Sequence, residues 1–173
     1  MNKPYLFVLI GLPGCGKSTI AKEISNLTDA EVFSSDSIRK ELFGSEAMQY
    51  SNDYLKEKGF TALSDNQKRN ICNNAVFAEL NNRIRNCLSS GSNAVYDATN
   101  LTHRNDLHSR FPNAEIVLVC IDVALETALV RNQIRDRHVP ENVIRDLYQK
   151  YSSEIAEMKP NCQFRTVVHI DNN

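Results

Sequence analysis

Apolar residues gather in short runs along this chain: "YLFVLI" at 5–10, "EVFS" at 31–34, "NAVYD" at 93–97, "EIVLVCID" at 115–122 and "RTVVHI" at 165–170. They are rich in Val, Ile and aromatics, and their apolar continuity predicts strands covered on both faces, as in a parallel sheet. Between them the pattern changes to a helical period. The clearest case begins at Ser64 with a capping box to Gln67 and carries a stripe of Cys72, Val76, Leu80, Ile84 and Leu88 toward Gly91, a natural terminator. A second helix is predicted with Pro140 in its first turn and Val143, Leu147 and Tyr151 on one side. The order βαβαβαβ predicts an α/β three-layer fold. The stretch from 37 to 91 is far longer than one crossover needs, and such an insertion is expected to build a wall over a site.

Composition narrows the setting. The 173 residues read as a single domain without repeats, low-complexity segments or linkers. A net charge of −1, with 24% charged residues, supplies no global field for nucleic acid or membrane, so any polyanion has to be gripped locally. Cys15, Cys72, Cys87, Cys120 and Cys162 are odd in number and lack CxxC spacing, which predicts reduced thiols and a cytoplasmic protein. The apolar run 5–10 falls far short of the roughly 18 residues of a membrane span and leads into a glycine loop, so neither export nor membrane insertion is expected.

That loop, "GLPGCGKST", matches G-x-x-x-x-G-K-[ST] through Gly11, Gly16, Lys17 and Ser18. It follows the first predicted strand and precedes a helical stretch with Ile20, Ala21, Ile24 and Leu27, the context a phosphate-binding loop requires. Backbone N–H groups over Gly14, Cys15, Gly16, Lys17, Ser18 and Thr19 can turn inward around phosphate oxygens, and the helix N-terminus adds its dipole. Lys17 is expected to reach the outer phosphates of ATP and Ser18 to ligate Mg²⁺. Cys15 reads as a spacer whose backbone the loop uses. A D-x-x-G switch and an N-K-x-D base-reading motif are both missing from the sequence, which argues against a GTPase. Strands ending Asp97-Ala98 and Asp122-Val123, where a large-machine ATPase would place Asp-Glu, leave phosphoryl transfer to a bound acceptor.

In a doubly wound sheet, ligands collect at the carboxyl ends of strands, which gives Asp36 and Asp97 the right address. Asp36 reads either as the base that receives the acceptor's proton or as a helix cap, a task Ser35 or Ser37 could share. Asp97 reads either as a partner of Ser18 or of a magnesium-bound water, or as the start of an Asx-turn with Thr99 and Asn100. Arg104 is a further candidate for contact with acceptor or phosphate. Arg131 and Arg135 are predicted on one helical face with Arg137 just beyond, suited to a lid over the triphosphate from about 131 to 140 or to a helix C-terminus that favours cations.

Taken in order, "GLPGCGKST", "SSDSIR", "YDATN" and "RNQIRDRHVPENVIRDLY" resemble the kinase domain of phage and bacterial 5′-hydroxyl polynucleotide kinases, within the wider group of small P-loop kinases, over roughly residues 5 to 151. The resemblance implies a four- or five-stranded parallel sheet flanked by helices. It implies Asp36 as general base on a 5′-hydroxyl, Arg39 on the acceptor strand's phosphate, Asp97 supporting the P-loop and metal, and Arg131 with Arg135 as the lid. The lid between Arg135 and Val139 is a residue shorter than in the phage form, which leaves Arg135 and Arg137 as alternatives. Residues 45–91, expected to line the acceptor channel, match loosely, and the D-x-D-x-T phosphatase signature is missing from the sequence. Phe43, Tyr50, Tyr54 and Phe60 among Lys56, Lys58, Lys68 and Arg69 could stack and neutralise a single strand, or equally pack beneath a helical lid. Three functions remain: a kinase of 5′-hydroxyl ends of DNA or RNA, a kinase of a small sugar, nucleoside or antibiotic, and a nucleotide-binding regulatory module.

Overall fold

The computed structural model describes residues 3–45, 50–100, 106–135, 137–158 and 166–173. Its elements run β1 (Tyr5–Ile10), α1 (Lys17–Thr28), β2 (Glu31–Ser34), α2 (Ser35–Phe43), α3 (Asn52–Glu57), α4 (Asp65–Ser89), β3 (Ala94–Asp97), α5 (Leu107–Arg110), β4 (Glu115–Asp122), α6 (Leu125–Gln133), α7 (Glu141–Met158) and β5 (Thr166–Asp171). The strands form one parallel sheet in the order β2-β3-β1-β4-β5, the five-stranded form of the expected fold. The apolar runs become its centre: Leu6, Val8 and Ile10 of β1, Ala94 and Tyr96 of β3, and Leu118 and Cys120 of β4 are buried. No helix among the described residues is long and apolar enough to cross a membrane.

The long helix α4 forms where its stripe predicts. Ser64 Oγ accepts from the Gln67 amide and Gln67 Oε1 accepts from the Ser64 amide, so two orphan donors at the helix start are satisfied. Cys72, Val76, Leu80, Ile84 and Leu88 are all buried. Each of the larger aliphatic side chains stabilises the fold by about 1.5–3 kcal/mol. Strand β3 begins one residue later than expected because Asn93 is used as a clip: its Oδ1 accepts from the Tyr5 amide at 2.9 Å and its Nδ2 donates to the Thr28 carbonyl at 3.2 Å. Helix α7 likewise begins at Glu141, with Pro140 just ahead of it and its carbonyl accepting from Val143.

Strand order decides what meets at the carboxyl ends. With β3 between β2 and β1, and Ser34 in register with Asp97, the start of α2 lies beside the end of β3 and both flank the loop after β1. On the other side Asp122 pairs with Asp171, so the residues following β5 also reach this edge.

Candidate active site

The loop between β1 and α1 is shaped by backbone that only glycine tolerates. Gly14 and Gly16 have φ of 84° and 92°. A β-carbon on Gly14 would collide with the Ala128 carbonyl, and one on Gly16 with the side-chain amide of Asn172. Gly11 is required for a different reason: a β-carbon there would meet the buried sulfur of Cys15 at 2.5 Å and the Ile121 carbonyl at 3.0 Å. Cys15 is thus a packing element as well as a loop residue. Lys17 Nζ donates to the carbonyls of Gly11 at 3.0 Å and Leu12 at 2.6 Å, which holds its ammonium over the loop.

Ser18 Oγ donates to Asp97 Oδ2 at 2.9 Å, the pairing that was one of the two readings of Asp97. Asp97 is 5% exposed. Burial raises its pKa, opposed by the charge of Lys17 and the Ser18 hydroxyl. Turn-making falls instead to Asn100, which adopts φ 49° and laces its Nδ2 to the carbonyls of Leu9, Tyr96 and Ala98. No cluster of three or more His, Cys, Asp or Glu side chains is found among the described residues. A hydroxyl and one carboxylate beside a phosphate cradle fit a hard cation that keeps waters and takes its remaining ligands from phosphate, as Mg²⁺ does.

Asp36 lies in the first turn of α2, where negative charge is favoured. The cap is neither Asp36 nor Ser35 nor Ser37 but Ser34, whose Oγ accepts from the Asp36 amide at 3.3 Å. The Asp36 carboxylate is therefore available elsewhere. Oδ2 accepts from Arg135 Nη2 at 3.0 Å, and Oδ1 accepts from Arg137 Nη1. Both arginines reach it from the segment after α6.

That segment corrects one expectation. Arg131 and Arg135 do not share a helical face, because α6 stops at Gln133. The buried Asn132 ends it: its Nδ2 donates to the Val139 carbonyl at 2.9 Å and its Oδ1 accepts from the Val139 amide at 3.1 Å, folding the intervening loop back on the helix. Arg135 then turns to Asp36, whereas Arg131 donates to the Asn172 carbonyl at 2.9 Å. Arg39 is 3% exposed, donates to Asn73 Oδ1 at 2.8 Å and stands 6.0 Å from the Phe43 ring centroid. Burial, then the nearby charge of Arg137, lowers its pKa to about 10. Arg104 lies outside the described residues.

These groups enclose a cavity of about 510 Å³, within the range of small-ligand sites. It is lined by Gly14, Gly16, Lys17, Ser18 and Thr19 of the cradle, by Asp36 and Asp97, and by Arg131, Arg135, Arg137, Val143 and Leu147. Among the described residues of 37–91, none lines this cavity. Phe43 is buried edge-on against Tyr54, and Tyr50 donates to Asp65 with Lys68 over its ring, so these aromatics serve packing and surface pairing while Phe60 stays 42% exposed.

Asn172 is the site residue that sequence reasoning missed. Its amide nitrogen donates to the Cys15 carbonyl at 2.8 Å, and its own carbonyl holds Arg131. The available signal was a polar triplet, Asp171-Asn172-Asn173, directly after an apolar strand at the edge where ligands collect.

A parallel sheet whose first strand delivers a glycine cradle, with Lys and Ser at the helix start, defines a P-loop nucleotide-binding protein. The sequence profile of the AAA domain family matches residues 6–153, and the chain belongs to that family. It is also 31% identical, over 152 residues, to a protein of Autographa californica nuclear polyhedrosis virus named as a bifunctional polynucleotide kinase/RNA ligase. That match takes in 84% of this chain but only 20% of the viral protein. Among solved structures, a chain of the Pnkp1/Rnl/Hen1 RNA repair complex superposes with a TM-score of 0.68 at 19% identity, covering 91% of this chain and 47% of that one. Shikimate kinase from Acinetobacter baumannii superposes with a TM-score of 0.55 at 18% identity, covering 95% and 83%. At these identities the two structures establish the shared fold.

Proposed function

We propose that this chain is an ATP-dependent, magnesium-requiring kinase that moves the γ-phosphoryl group to a hydroxyl, foremost the 5′-hydroxyl end of DNA or RNA. One observation carries the reading: Asp36, a carboxylate spared from capping, shares a cavity with Lys17 and Ser18 and is met there by two arginines of a folded-back loop. The named activity of the viral relative supports the acceptor class.

In this reading Gly14 to Thr19 hold the triphosphate through backbone N–H groups, with Lys17 moving from its loop carbonyls to the outer phosphates. Ser18, with Asp97 behind it, would hold Mg²⁺, which would supply positive charge against the phosphates. The acceptor oxygen forms a bond to the γ-phosphorus as the bond to the β-phosphate oxygen breaks, and ADP leaves. Asp36 receives the hydroxyl proton. Arg131 and Arg135 supply positive charge against the transferred group. The buried thiols of Cys15, Cys72 and Cys87 suit a reducing, cytoplasmic setting.

A small-molecule kinase is the second reading, favoured by the absence of insertion residues among the described cavity lining. The test offers γ-labelled ATP with a 5′-hydroxyl oligonucleotide and, separately, with a panel of sugars, nucleosides and antibiotics. Label on the oligonucleotide is expected. Label confined to a metabolite moves the assignment to the second reading, and label on neither leaves a regulatory nucleotide-binding module.

A further inference from the structure

A second cavity, of about 300 Å³, lies at the carboxyl end of β4, where Asp122 and Asn173 meet Tyr148, Tyr151 and Ser152 of α7. It shares no lining residue with the cavity of the phosphate cradle, and its volume is at the lower end of small-ligand sites. Tyr151 is 5% exposed, and its hydroxyl is buried without a hydrogen-bond partner, a state that folded chains normally avoid. Burial, then the charge of nearby Asp122, raises its pKa, so the phenol keeps its proton.

The other polar side chains deep in the lining are engaged. Ser152 Oγ donates to the Tyr148 carbonyl at 3.0 Å, and Asn173 Oδ1 accepts from the Ala124 amide at 2.6 Å while its Nδ2 donates to Asp171. That leaves the Asp122 carboxylate and the Tyr151 hydroxyl for an occupant. His169 Nδ1 stands 3.7 Å from Asp122 Oδ2, outside hydrogen-bond reach, and does not line the cavity. Among the described residues no Lys or Arg lines it either, so the carboxylate is its one charge.

We propose that this cavity binds the ammonium group of a primary alkylamine, held between the Asp122 carboxylate and the Tyr151 hydroxyl oxygen. An ammonium carries three donors and no acceptor, so it can give one to each oxygen. Its bond to the carboxylate is charge-assisted, and the aromatic surface of Tyr148 and Tyr151 suits both a cation and its hydrocarbon stem. An anion is repelled by Asp122, and a neutral alcohol forgoes the charge-assisted bond. A free diamine and a lysine side chain carry the same group, and the test separates them. The inference stands apart from the kinase reading, which gives none of these residues a part in transfer.

The experiment is calorimetric titration of the full chain, at constant ionic strength, with 1,4-diaminobutane, with Nα-acetyl-lysine methylamide and with 1,4-butanediol as the neutral counterpart. Wild type is expected to bind an amine and not the diol, and the tighter amine identifies the source. Asp122→Asn should weaken binding about 10- to 100-fold and Tyr151→Phe about 3- to 10-fold. Without amine, Tyr151→Phe should match or exceed wild type in thermal midpoint, because the hydroxyl it deletes has no partner. Amine binding that is missing in wild type, that survives Asp122→Asn, or that the diol equals overturns the proposal and leaves a cavity for water only. A lowered midpoint in Tyr151→Phe also overturns it, since the hydroxyl would then be engaged within the fold itself.

Discussion

The phosphate cradle and the Asp36 side of the cavity are built by opposite means. The cradle is one contiguous stretch, Gly11 to Thr19, held by backbone conformation and by the reach of Lys17 to carbonyls only five and six residues back. The Asp36 side is assembled across the fold, with Asp36 meeting arginines 99 and 101 residues further along the chain. A local device of this kind can be read from nine residues, and is disturbed by changes to those residues. A device made of ion pairs between separate elements depends on where a helix stops and on which cations are near, so its parts can be altered without disturbing the cradle.

The sharpest test separates the two halves by substitution. Asp36→Asn is expected to lower turnover by about 10²- to 10⁴-fold, the usual contribution of a positioned base, with nucleotide affinity essentially unchanged. Lys17→Ala should lower turnover by about 10²- to 10³-fold and weaken nucleotide binding as well. Steady-state rates with a 5′-hydroxyl oligonucleotide, alongside titration of ATP, give both numbers. An Asp36→Asn chain that turns over near the wild-type rate would reduce Asp36 to a structural anchor for Arg135 and Arg137.

The same contrast explains how far the sequence could be read. The glycine loop, the Ser64 capping box and the α4 stripe are local patterns, and their structure follows from neighbours a few residues away. Strand ends placed Asp36 and Asp97 at the correct edge because a parallel sheet gathers its carboxyl ends there. The break between Arg131 and Arg135 was not legible, because it depends on Asn132 pairing with the Val139 backbone, and an asparagine in a helical pattern gives no sign that it will do so. The burial of Arg39 depends in the same way on Asn73, which lies 34 residues on in α4. The aromatics of 43–60 carried two meanings, and Phe43 and Tyr54 took the packing one.

A second comparison lies within the glycines. Gly14 and Gly44 have nearly the same φ, 84° and 81°, but a β-carbon on Gly14 strikes the Ala128 carbonyl whereas one on Gly44 meets nothing within 4 Å. Gly44→Ala is expected to cost about 1 kcal/mol, the conformational term alone. Gly14→Ala should cost about 1–3 kcal/mol and weaken ATP binding, since the backbone must shift away from α6. Denaturant midpoints of the two variants make the check, and equal midpoints would mean that the loop yields without strain.

Asn172 tests whether the cradle is as self-contained as its sequence suggests. Asn172→Ala removes the bond to the Cys15 carbonyl but keeps the backbone carbonyl that holds Arg131. The expected effect is a loss of about 2- to 10-fold in ATP affinity, the worth of one part-buried hydrogen bond. The KM for the acceptor should not move. A change in acceptor KM instead would show that β5 supports the lid rather than the loop.

The smallest effect joins the halves at Asp97, which lies between the cradle and Asp36. Its folded-state pKa is raised, chiefly by burial, so in the pH interval above its ordinary value of 3.8 the folded chain binds more protons at this site than the unfolded chain does. Stability from this group therefore falls as pH rises through that interval and levels off above the raised pKa. Asp97→Asn keeps an oxygen to accept from Ser18 but has no charge to desolvate. The variant should match wild type in thermal midpoint at the acid end, gain on it as pH rises, and hold a constant advantage near neutrality. A difference in midpoint that shrinks with rising pH would mean that Lys17 and Ser18 outweigh burial, and Asp97 would then contribute stability to the cradle instead of costing it.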